Sequence, residues 1–513
     1  MKLRHLKYPA AMAAAVALAS CGSSSTNEVS ASDTAPVLIS VPGISSAVTY
    51  SFDLGVIDTA TGMYYVTDRT NKAVDVVNIS GGAANVLSTP VTLFKQAFAG
   101  CNSGGTTGGA TKFPYVPMPG CLNIAITANQ TLVTNNDLDG PDGLDIVGST
   151  LYVGDVNKLW VLNKATGALV GGGTGFVAIP NTGLQQGFRS DEGCFDPVNH
   201  LYAIALTGDP NNPQMTILDT TGAETGVALP KIIARVLMND STGAPSAGLE
   251  ACAFDTRAGI TAGVPGGMLW VNNDGSSQNP NGEMDGIPIA DLIAIRTAVG
   301  AGAAIKVVFA GPLTATVDPG VATSTAPVCA LGAGGSCGGT AAKVFPFPLT
   351  ALVNGGVGGC DPTGLTLGPG TDIASMCRPG TFGLRLDFLI LNGTAATNAT
   401  SVPNNIVATV QGAGGGDQVA YDAASNRYYL ANSRATASGK SCFSGGVQGC
   451  NLTPKLTVVD GTTHAVVGNF DSGNNAHSVA AGLGMVLMPF ASTSATAGGA
   501  FFPNGGVALY PTM

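Results

Sequence analysis

Two distant stretches of the chain repeat one pattern, and this repeat constrains the fold more than any other feature of the sequence. Residues 53–68 read DLGVIDTATGMYYVTD and residues 417–432 read DQVAYDAASNRYYLAN. Both begin with an acid, carry an Asp five residues later, and place paired tyrosines after a turn that contains Gly or Asn. Two short apolar runs around such a turn predict a β-hairpin. The chain is therefore predicted to consist of repeated hairpins.

Looser copies of the pattern bring the number of repeat starts to seven, at residues 53, 142, 191, 250, 363, 417 and 477. Units of three or four strands that recur in this way predict an all-β fold, a β-propeller with seven blades. Six or eight blades stay open, because AAIKVVFAG at 303–311 also reads as a strand and lies in a long gap between copies. A β-helix or a β-sandwich is the other alternative, since both also join short strands by turns.

Composition agrees with a fold of strands and turns. Charged residues make up 11% of the chain, against about 25% in an ordinary soluble domain, and glycine occurs 72 times. The net charge is −10 with only 22 lysines and arginines, so the chain lacks the basic surface that nucleic acid requires. We therefore expect no nucleic-acid partner.

The two ends of the repeat region are predicted to close the ring together. The last copy has room for strands at 478–481, 485–490 and 506–510, one fewer than a complete blade. The segment PVLISVPGISSAVTY at 36–50 precedes the first copy and contains a strand with no hairpin partner of its own. Pairing Val37–Val41 with the last blade would remove an exposed edge. The propeller then spans 36–513, with insertions predicted near 83–138 and 293–359.

The N-terminus predicts export and lipid anchoring. Lys2, Arg4 and Lys7 precede a short apolar run that ends in Leu-Ala-Ser-Cys at 18–21. This order is typical of a bacterial secretory signal, and the run is too short to span a membrane. The four residues resemble the lipobox of bacterial lipoproteins, which implies a signal peptide over 1–20, lipidation of Cys21 and a flexible tether over 21–35. An ordinary signal peptide with a chance cysteine is the alternative.

By the habit of that family, Gly at position 22 implies the outer membrane, with the protein facing the periplasm or the cell surface. The lipid would then be the membrane anchor, because no later stretch reaches about 18 uninterrupted apolar residues.

Cysteine usage also suits an exported protein. Apart from Cys21 the chain has ten cysteines, an even number, and no CxxC motif. Four pairs are close in sequence and flank Gly-rich loops: Cys101–Cys121, Cys329–Cys337, Cys360–Cys377 and Cys442–Cys450. The remaining Cys194 and Cys252 would pair by elimination. A metal cluster is the alternative to disulfides.

The repeated acid-and-tyrosine phrase and the Asp-x-x-Thr-Gly turns resemble surface-layer-like and NHL-type propellers of the bacterial envelope. The resemblance covers most of residues 50–513 and implies the fold far more than a function. With a lipid anchor, it favours a binding or scaffold module whose partner is an envelope protein, a glycan or a small molecule. The alternative is a divalent-metal-dependent hydrolase or lactonase similar to gluconolactonase-type propellers. A quinone- or haem-linked oxidoreductase is a third and weaker reading, because CxxCH is absent.

Aligning the seven copies gives the candidate site. One equivalent position, at the start of the innermost strand, holds Asp53, Asp142, Asp191, Glu250, Thr363, Asp417 and His477. Carboxylates converging on one axis repel each other unless a cation neutralises them, and oxygen ligands with a single imidazole favour Ca²⁺ or Mg²⁺. The six titratable members are therefore a predicted calcium site. In the alternative, each acid accepts backbone N–H groups in its own blade; Glu192 also blurs the alignment by one residue.

Other motifs are weaker. The residues GGSCG at 334–338 match the consensus of a nucleophile elbow, but the flanking sequence does not predict the strand and helix that such an elbow requires. NNDLDGPDGLD at 135–145 lacks the closing Glu of an EF-hand but offers Asp137, Asp139 and Asp142 to calcium; NNDGSSQNPNGEMDG at 272–286 is similar. No Ser/His/Asp set can be assembled, since His200 and His464 lie in turn-like phrases.

Overall fold

The described residues of the computed structural model are 36–45, 48, 50–98, 140–171, 174–179, 189–207, 213–240, 244–261, 264–279, 282–302, 306–310, 328–331, 345–348, 360–378, 386–394, 406–436, 452–492 and 504–512. The predicted signal peptide, Cys21 and the tether fall outside them. No helix among these residues has the length and apolar character needed to cross a membrane.

The described part of the chain is almost entirely strand. Its strands are β1 (Val37–Ile39), β2 (Phe52–Asp58), β3 (Met63–Asp68), β4 (Ala73–Asn78), β5 (Thr92–Lys95), β6 (Leu144–Val147), β7 (Thr150–Asp155), β8 (Lys158–Asn163), β9 (Phe176–Ala178), β10 (Ser190–Asp196), β11 (Leu201–Leu206), β12 (Gln214–Asp219), β13 (Lys231–Met238), β14 (Leu249–Asp255), β15 (Met268–Asn273), β16 (Glu283–Pro288), β17 (Lys306–Ala310), β18 (Val328–Leu331), β19 (Phe345–Pro348), β20 (Pro362–Leu367), β21 (Asp372–Cys377), β22 (Asp387–Asn392), β23 (Ile406–Gln411), β24 (Val419–Asp422), β25 (Arg427–Asn432), β26 (Lys455–Asp460), β27 (Val466–Asp471), β28 (Ala480–Gly482), β29 (Met485–Phe490) and β30 (Gly506–Pro511). Three helices accompany them: α1 (Gly82–Ser88), α2 (Ala258–Thr261) and α3 (Ile289–Gly300).

The strands form seven sheets, each of which is one blade of a β-propeller. Consecutive strands pair antiparallel within a blade, in the orders β2–β5, β6–β9, β10–β13, β14–β16 with β19, β20–β23, β24–β27 and β28–β30 with β1. The innermost strands touch in a closed circle, β2 to β6, β10, β14, β20, β24, β28 and back to β2. The seven-bladed prediction is confirmed, and each predicted repeat start lies at or just before an innermost strand.

Strand β1 closes the ring as predicted. It pairs antiparallel with β30, with Leu38 opposite Ala508, and so supplies the fourth strand of the last blade. Ile39 and Val41 are buried in the core between this blade and the first one. Joining the two chain ends in one sheet leaves no gap in the circle of blades.

The strand predicted at 303–311 exists as β17 but does not form an eighth blade. It adds to the outer edge of the third blade, where it runs parallel to β13, and β18 then pairs parallel with β17. Helix α3 connects β16 to β17 and packs Leu292 and Ile295 into the core between the third and fourth blades. Within the predicted insertions, β5 and β19 complete the first and fourth blades.

One apolar core lies between each pair of neighbouring blades, which explains the paired tyrosines of the repeat. Side chains of adjacent strand residues point to opposite faces of a sheet. Tyr64 accordingly packs in the core toward the last blade, and Tyr65 in the core toward the second blade. Tyr428 and Tyr429 divide in the same way between the two cores that flank the sixth blade. The phrase is therefore a packing motif.

The second Asp of the repeat shapes the hairpin turn. Asp58 accepts hydrogen bonds from the Ala60 N–H and the Thr61 hydroxyl, at 3.1 and 2.7 Å. Gly62 and its counterpart Asn426 have φ of 69° and 55°, the left-handed conformation that Gly and Asn tolerate best. The Gly/Asn turn of the sequence pattern is thus required by the backbone.

Candidate functional site

The aligned residues lie together at the end of the central channel where the innermost strands begin. In β2, β10, β14 and β20 this point carries the same β-bulge, in which two residues oppose one on the neighbouring strand. The first residue of each bulge is Asp53, Asp191, Glu250 or Thr363. Bulges of this kind re-aim side chains and are common beside functional sites.

Eight carboxylates and four guanidinium groups interact at this end, and we call them the acidic cluster. The acids are Asp53, Asp142, Asp191, Glu192, Glu250, Asp274, Asp361 and Asp417, and the bases are Arg69, Arg189, Arg378 and Arg434. Among the described residues, the acids of this cluster outnumber its bases by eight to four.

Arg69 joins the first two blades. It directly follows β3, and its Nη2 lies 3.0 Å from Asp53 Oδ2 and 2.6 Å from Asp142 Oδ1. Burial alone would raise the pKa of Asp53, but Arg69 and the neighbouring His477 hold it well below its ordinary range. Asp53 and Asp142 are therefore bound by a protein cation from the first blade.

Arg189 and Arg378 pair most of the remaining acids. Arg189 forms an ion pair with Asp191 and lies 4.0 Å from Glu250. Arg378 follows β21 as Arg69 follows β3, and its guanidinium lies 2.8 Å from Glu250 and 3.9 Å from Asp417. Because it also faces Asp274 and Asp361, both at 3.5 Å, Arg378 joins the fourth, fifth and sixth blades. Burial would lower its pKa, but these four acids raise it well above the ordinary value.

A disulfide positions this arginine. Cys360–Cys377 joins the residue before Asp361 to the residue before Arg378, with the two Cα atoms 4.6 Å apart. Cys194–Cys252 joins the innermost strands of the third and fourth blades. Both pairings confirm the sequence prediction. The other three predicted pairs depend on cysteine side chains outside the described residues.

His477 is held in place by three contacts. It stacks on Phe52 with ring centroids 4.7 Å apart, and its Nδ1 lies 2.7 Å from the Asn475 carbonyl oxygen. Its Nε2 faces Asp53 Oδ1 at 3.4 Å and Asp417 Oδ2 at 3.9 Å. Burial opposes protonation, yet the hydrogen bond to Asp53 and the charge of Asp417 raise the pKa of His477.

The structure brings together only part of the predicted calcium site. Among the described residues, Asp53, Asp417 and His477 form the one group of three whose ligand atoms lie within 4.8 Å of one another. Asp142, Asp191 and Glu250 lie against arginines instead. Thr363 follows neither expectation, because its hydroxyl donates to the Gly416 carbonyl at 2.6 Å. Calcium binding stays a prediction.

The two acid-rich loops give different outcomes. Asp137 and Asp139 are outside the described residues. In the loop at 272–286, Asn273 donates to Asp285 at 2.7 Å and Asn279 donates to Glu283 at 2.8 Å. Burial and the adjacent Glu283 raise the pKa of Asp285 well above its usual value. The side-chain amides of this loop therefore bind the loop's own carboxylates.

The two remaining histidines of the described residues lie in turns. His200 and His464 have φ of 55° and 57°, and they pair with Glu224 and Asp372.

The channel itself contains a cavity of about 500 Å³. It is lined by the innermost strands of the first six blades, with apolar side chains such as Leu54, Ile146 and Leu365 beside polar groups. Among the described residues of this lining, the acids are Asp145, Glu192 and Asp417, and none is a Lys, an Arg or a His. Burial, followed by the charges of Asp191 and Glu250, raises the pKa of Glu192 well above its ordinary value.

Asp145 gives a pH prediction. Burial raises its pKa to about 7, although the Ile146 N–H donates to its carboxylate at 2.7 Å. The folded protein then binds a proton between about pH 4 and 7 that the unfolded chain does not, so the stability contributed by Asp145 falls as pH rises through this range. Asp145→Asn should leave stability unchanged at pH 4 and raise it by about 2 kcal/mol at pH 8, a value reduced because the carboxyl is partly open to the channel. Urea denaturation at both pH values measures this.

A matched variant, Asp471→Asn, removes an exposed acid on β27 and should show no such dependence. Equal effects of Asp145→Asn at pH 4 and pH 8 would contradict the prediction.

The alignment located the acids, whereas the arginines were not predicted. A signal existed, since Arg69 and Arg378 each follow the second strand of a blade directly. In a chain with so few basic residues, that shared position marks them as partners of the aligned acids.

Comparison with known proteins gives distant structural similarities. No protein-family model matches the chain, and no curated protein matches it in sequence. Among solved structures, the chain is similar to Kuenenia stuttgartiensis hydrazine synthase, with a TM-score of 0.45 and 10% identity over 92% of this chain and 99% of that one. It is also similar to the Myceliophteria thermophila Cps50 (Swd1) β-propeller domain, with a TM-score of 0.43 and 9% identity over 93% of this chain and 100% of that one.

A third similar structure is the PQQ-bound aldose sugar dehydrogenase of Streptomyces coelicolor, with a TM-score of 0.35 and 10% identity over 72% of this chain and 93% of that one.

Proposed function

We propose that this protein is a lipid-anchored binding module of the bacterial outer membrane, of the NHL-like or surface-layer-like propeller type, that takes a ligand into its central channel. One observation carries the proposal: the channel contains a cavity of about 500 Å³ that is lined by both apolar side chains and acids. Concave sites of this size are the usual form of small-molecule sites. The paired acidic cluster gives the mouth a fixed shape.

Blocking the channel tests this function. Ala253 lines the cavity, and Ala253→Phe would fill part of it. A panel of small organic cations, anions and glycans is screened for binding by native mass spectrometry and by the rise in melting temperature. We expect at least one class to bind the wild type and to be lost in Ala253→Phe. Val227→Phe, at a surface position that is 77% exposed, is the control. Binding that survives in Ala253→Phe would place the site elsewhere and contradict the proposal.

Membrane anchoring is tested at Cys21. The lipobox resemblance supports lipidation there, so Cys21→Ser should abolish palmitate labelling and release the protein from the outer-membrane fraction. Ser24→Ala, in the predicted tether, should change neither. Retention of Cys21→Ser in the membrane fraction would exclude the lipid as the anchor.

The second candidate function is a divalent-metal-dependent hydrolase or lactonase. It is favoured by Asp53, Asp417 and His477, because two carboxylates and one imidazole converge and leave other coordination positions for water and substrate. Arg69 opposes it, since its guanidinium already neutralises Asp53. For this reason the binding module is preferred.

Metal analysis separates the two candidates. A hydrolase of this type should hold one calcium ion per chain, and a chelator should lower its melting temperature. Asp417→Asn should abolish that difference, whereas Asp372→Asn, which alters a carboxyl paired with His464, should preserve it. An unchanged melting temperature with and without calcium would contradict the metal-dependent function.

A further inference from the structure

Glu192 departs from the pattern of the propeller repeat. It is the second residue of the bulge in β10, next to the aligned Asp191. The equivalent position in the other six blades holds no charged residue, namely Leu54, Gly143, Ala251, Gly364, Gln418 and Ser478. A carboxylate at this position is therefore specific to the third blade and is not needed for the fold of a blade.

Glu192 also faces the cavity without a partner for its carboxyl group. The residue is 5% exposed and lines the cavity, and within the described part of the chain its side chain takes part in no hydrogen bond and no ion pair. Its neighbour Asp191, in contrast, pairs with Arg189. A buried carboxyl group is normally either paired with a cation or neutral, because desolvation of an isolated carboxylate is costly. A cation that enters the cavity would therefore be a partner for Glu192 and would favour its charged form.

The surroundings of Glu192 define what that partner must be. The residues that line the cavity beside it include the apolar Leu54, Val56, Leu144, Ile146, Phe195 and Leu365. The ionisable side chains among the described lining residues are all acids, so an anionic ligand would find no cation there. A ligand that suits both features carries a positive charge at one end and an apolar body at the other.

A metal ion fits Glu192 poorly. Divalent cations in proteins take several ligands at once. In the described part of the chain, the ligand atoms that share one position belong to Asp53, Asp417 and His477, and Glu192 is not among them. A carboxyl group that lies beside apolar side chains suits an ammonium group, which needs one charge-assisted hydrogen bond.

We propose that the central channel binds an organic ammonium ion with an apolar body, and that Glu192 is the counter-ion of that ammonium group. The inference rests on the proposed binding function and names the ligand class for the same cavity.

Homologous alkylammonium ions test the proposal. Binding of butyl-, hexyl- and octylammonium to the purified protein is measured by isothermal titration calorimetry, beside butanol, octanol and octyl sulfate. Affinity for the ammonium ions should rise about three- to fourfold for each added CH₂ group that enters the apolar cavity. Octylammonium should bind more tightly than octanol, and octyl sulfate should not bind.

Glu192→Gln keeps the size of the side chain and removes its charge. It should weaken octylammonium binding by about 10- to 100-fold, while octanol binding stays near its wild-type value. Asp471→Asn removes one surface charge and should leave both affinities unchanged. Equal octylammonium affinity in the wild type and Glu192→Gln would overturn the role of Glu192.

The outcomes distinguish this inference from the proposed function. If octanol or octyl sulfate binds as well as octylammonium and Ala253→Phe abolishes that binding, the channel is a ligand site but the ligand class is wrong. If no probe of any class binds, and the panel of the preceding section also fails, the binding function itself is wrong. Displacement of octylammonium by millimolar calcium in the wild type, but not in His477→Ala, would assign the charge site to a metal and overturn the inference.

Discussion

Replacing Arg378 by methionine is expected to lower the free energy of unfolding by about 3–5 kcal/mol at pH 7. Methionine preserves most of the apolar stem, but Glu250, Asp274, Asp361 and Asp417 lose the cation that faces them. Removing one partner of a buried ion pair leaves the other charges uncompensated, which costs more than the pair contributed. Chemical denaturation of the wild type and Arg378→Met measures the loss.

Lowering the pH should reduce this loss. The acids left without Arg378 become protonated more easily than before, and protonation removes their mutual repulsion. The difference between the two proteins should therefore be smaller at pH 5 than at pH 7. Arg427→Met is the matched control, since Arg427 pairs with Asp460 at a more exposed turn and its loss should cost about 1 kcal/mol or less. An Arg378→Met effect no larger than that of Arg427→Met would contradict the role of the acidic cluster in joining the blades.

Removing β1 should have an effect of similar size. A chain that begins at residue 42 lacks Ile39 and Val41, two buried side chains of the core between the last and first blades. Burial of each contributes about 1.5–3 kcal/mol, so the loss should reach about 3–6 kcal/mol. Strand β30 would then present an unpaired edge and favour self-association. Thermal unfolding and sedimentation velocity measure both consequences.

The control is a chain that begins at residue 36 and retains β1. It should match the longer protein in stability and stay monomeric. If the chains that begin at residues 36 and 42 unfold at the same temperature and both stay monomeric, closure by β1 does not stabilise the ring.

The number of blades and the closure of the ring were predictable because each blade repeats the same local pattern. The hairpin phrase encodes strand, turn and core residues at fixed positions, so that seven copies define seven blades. The local pattern does not predict how the strand at 306–310 pairs. Its own residues predict a strand, but its parallel pairing with β13 depends on a distant segment of the third blade.

The acids of the candidate site were predictable from the sequence, but the arginines that pair with them were not. Asp53 and Asp417 stand at aligned positions, and alignment alone brings them to one end of the channel. Arg69, in contrast, reaches Asp142 of the next blade; the position that it shares with Arg378 after a second strand does not show which acids it contacts. The choice between a cation site and an arginine-paired cluster therefore required the structure.

The role of Glu192 was also not predictable from the sequence. In the sequence it only disturbed the alignment by one residue. The bulge in β10 explains the disturbance, because Asp191 and Glu192 together oppose a single residue of β11. Only the structure shows that the second residue of this bulge lines the cavity.

Whether Glu192 serves a ligand and not the fold is tested most directly by the stability of Glu192→Gln without ligand. A functional residue that is buried without a partner should cost stability. We predict that Glu192→Gln is more stable than the wild type by about 1–3 kcal/mol at pH 7.5 in urea denaturation, because folding no longer has to protonate this carboxyl group or bury its charge. A Glu192→Gln protein less stable than the wild type would show that Glu192 supports the fold and would contradict the account.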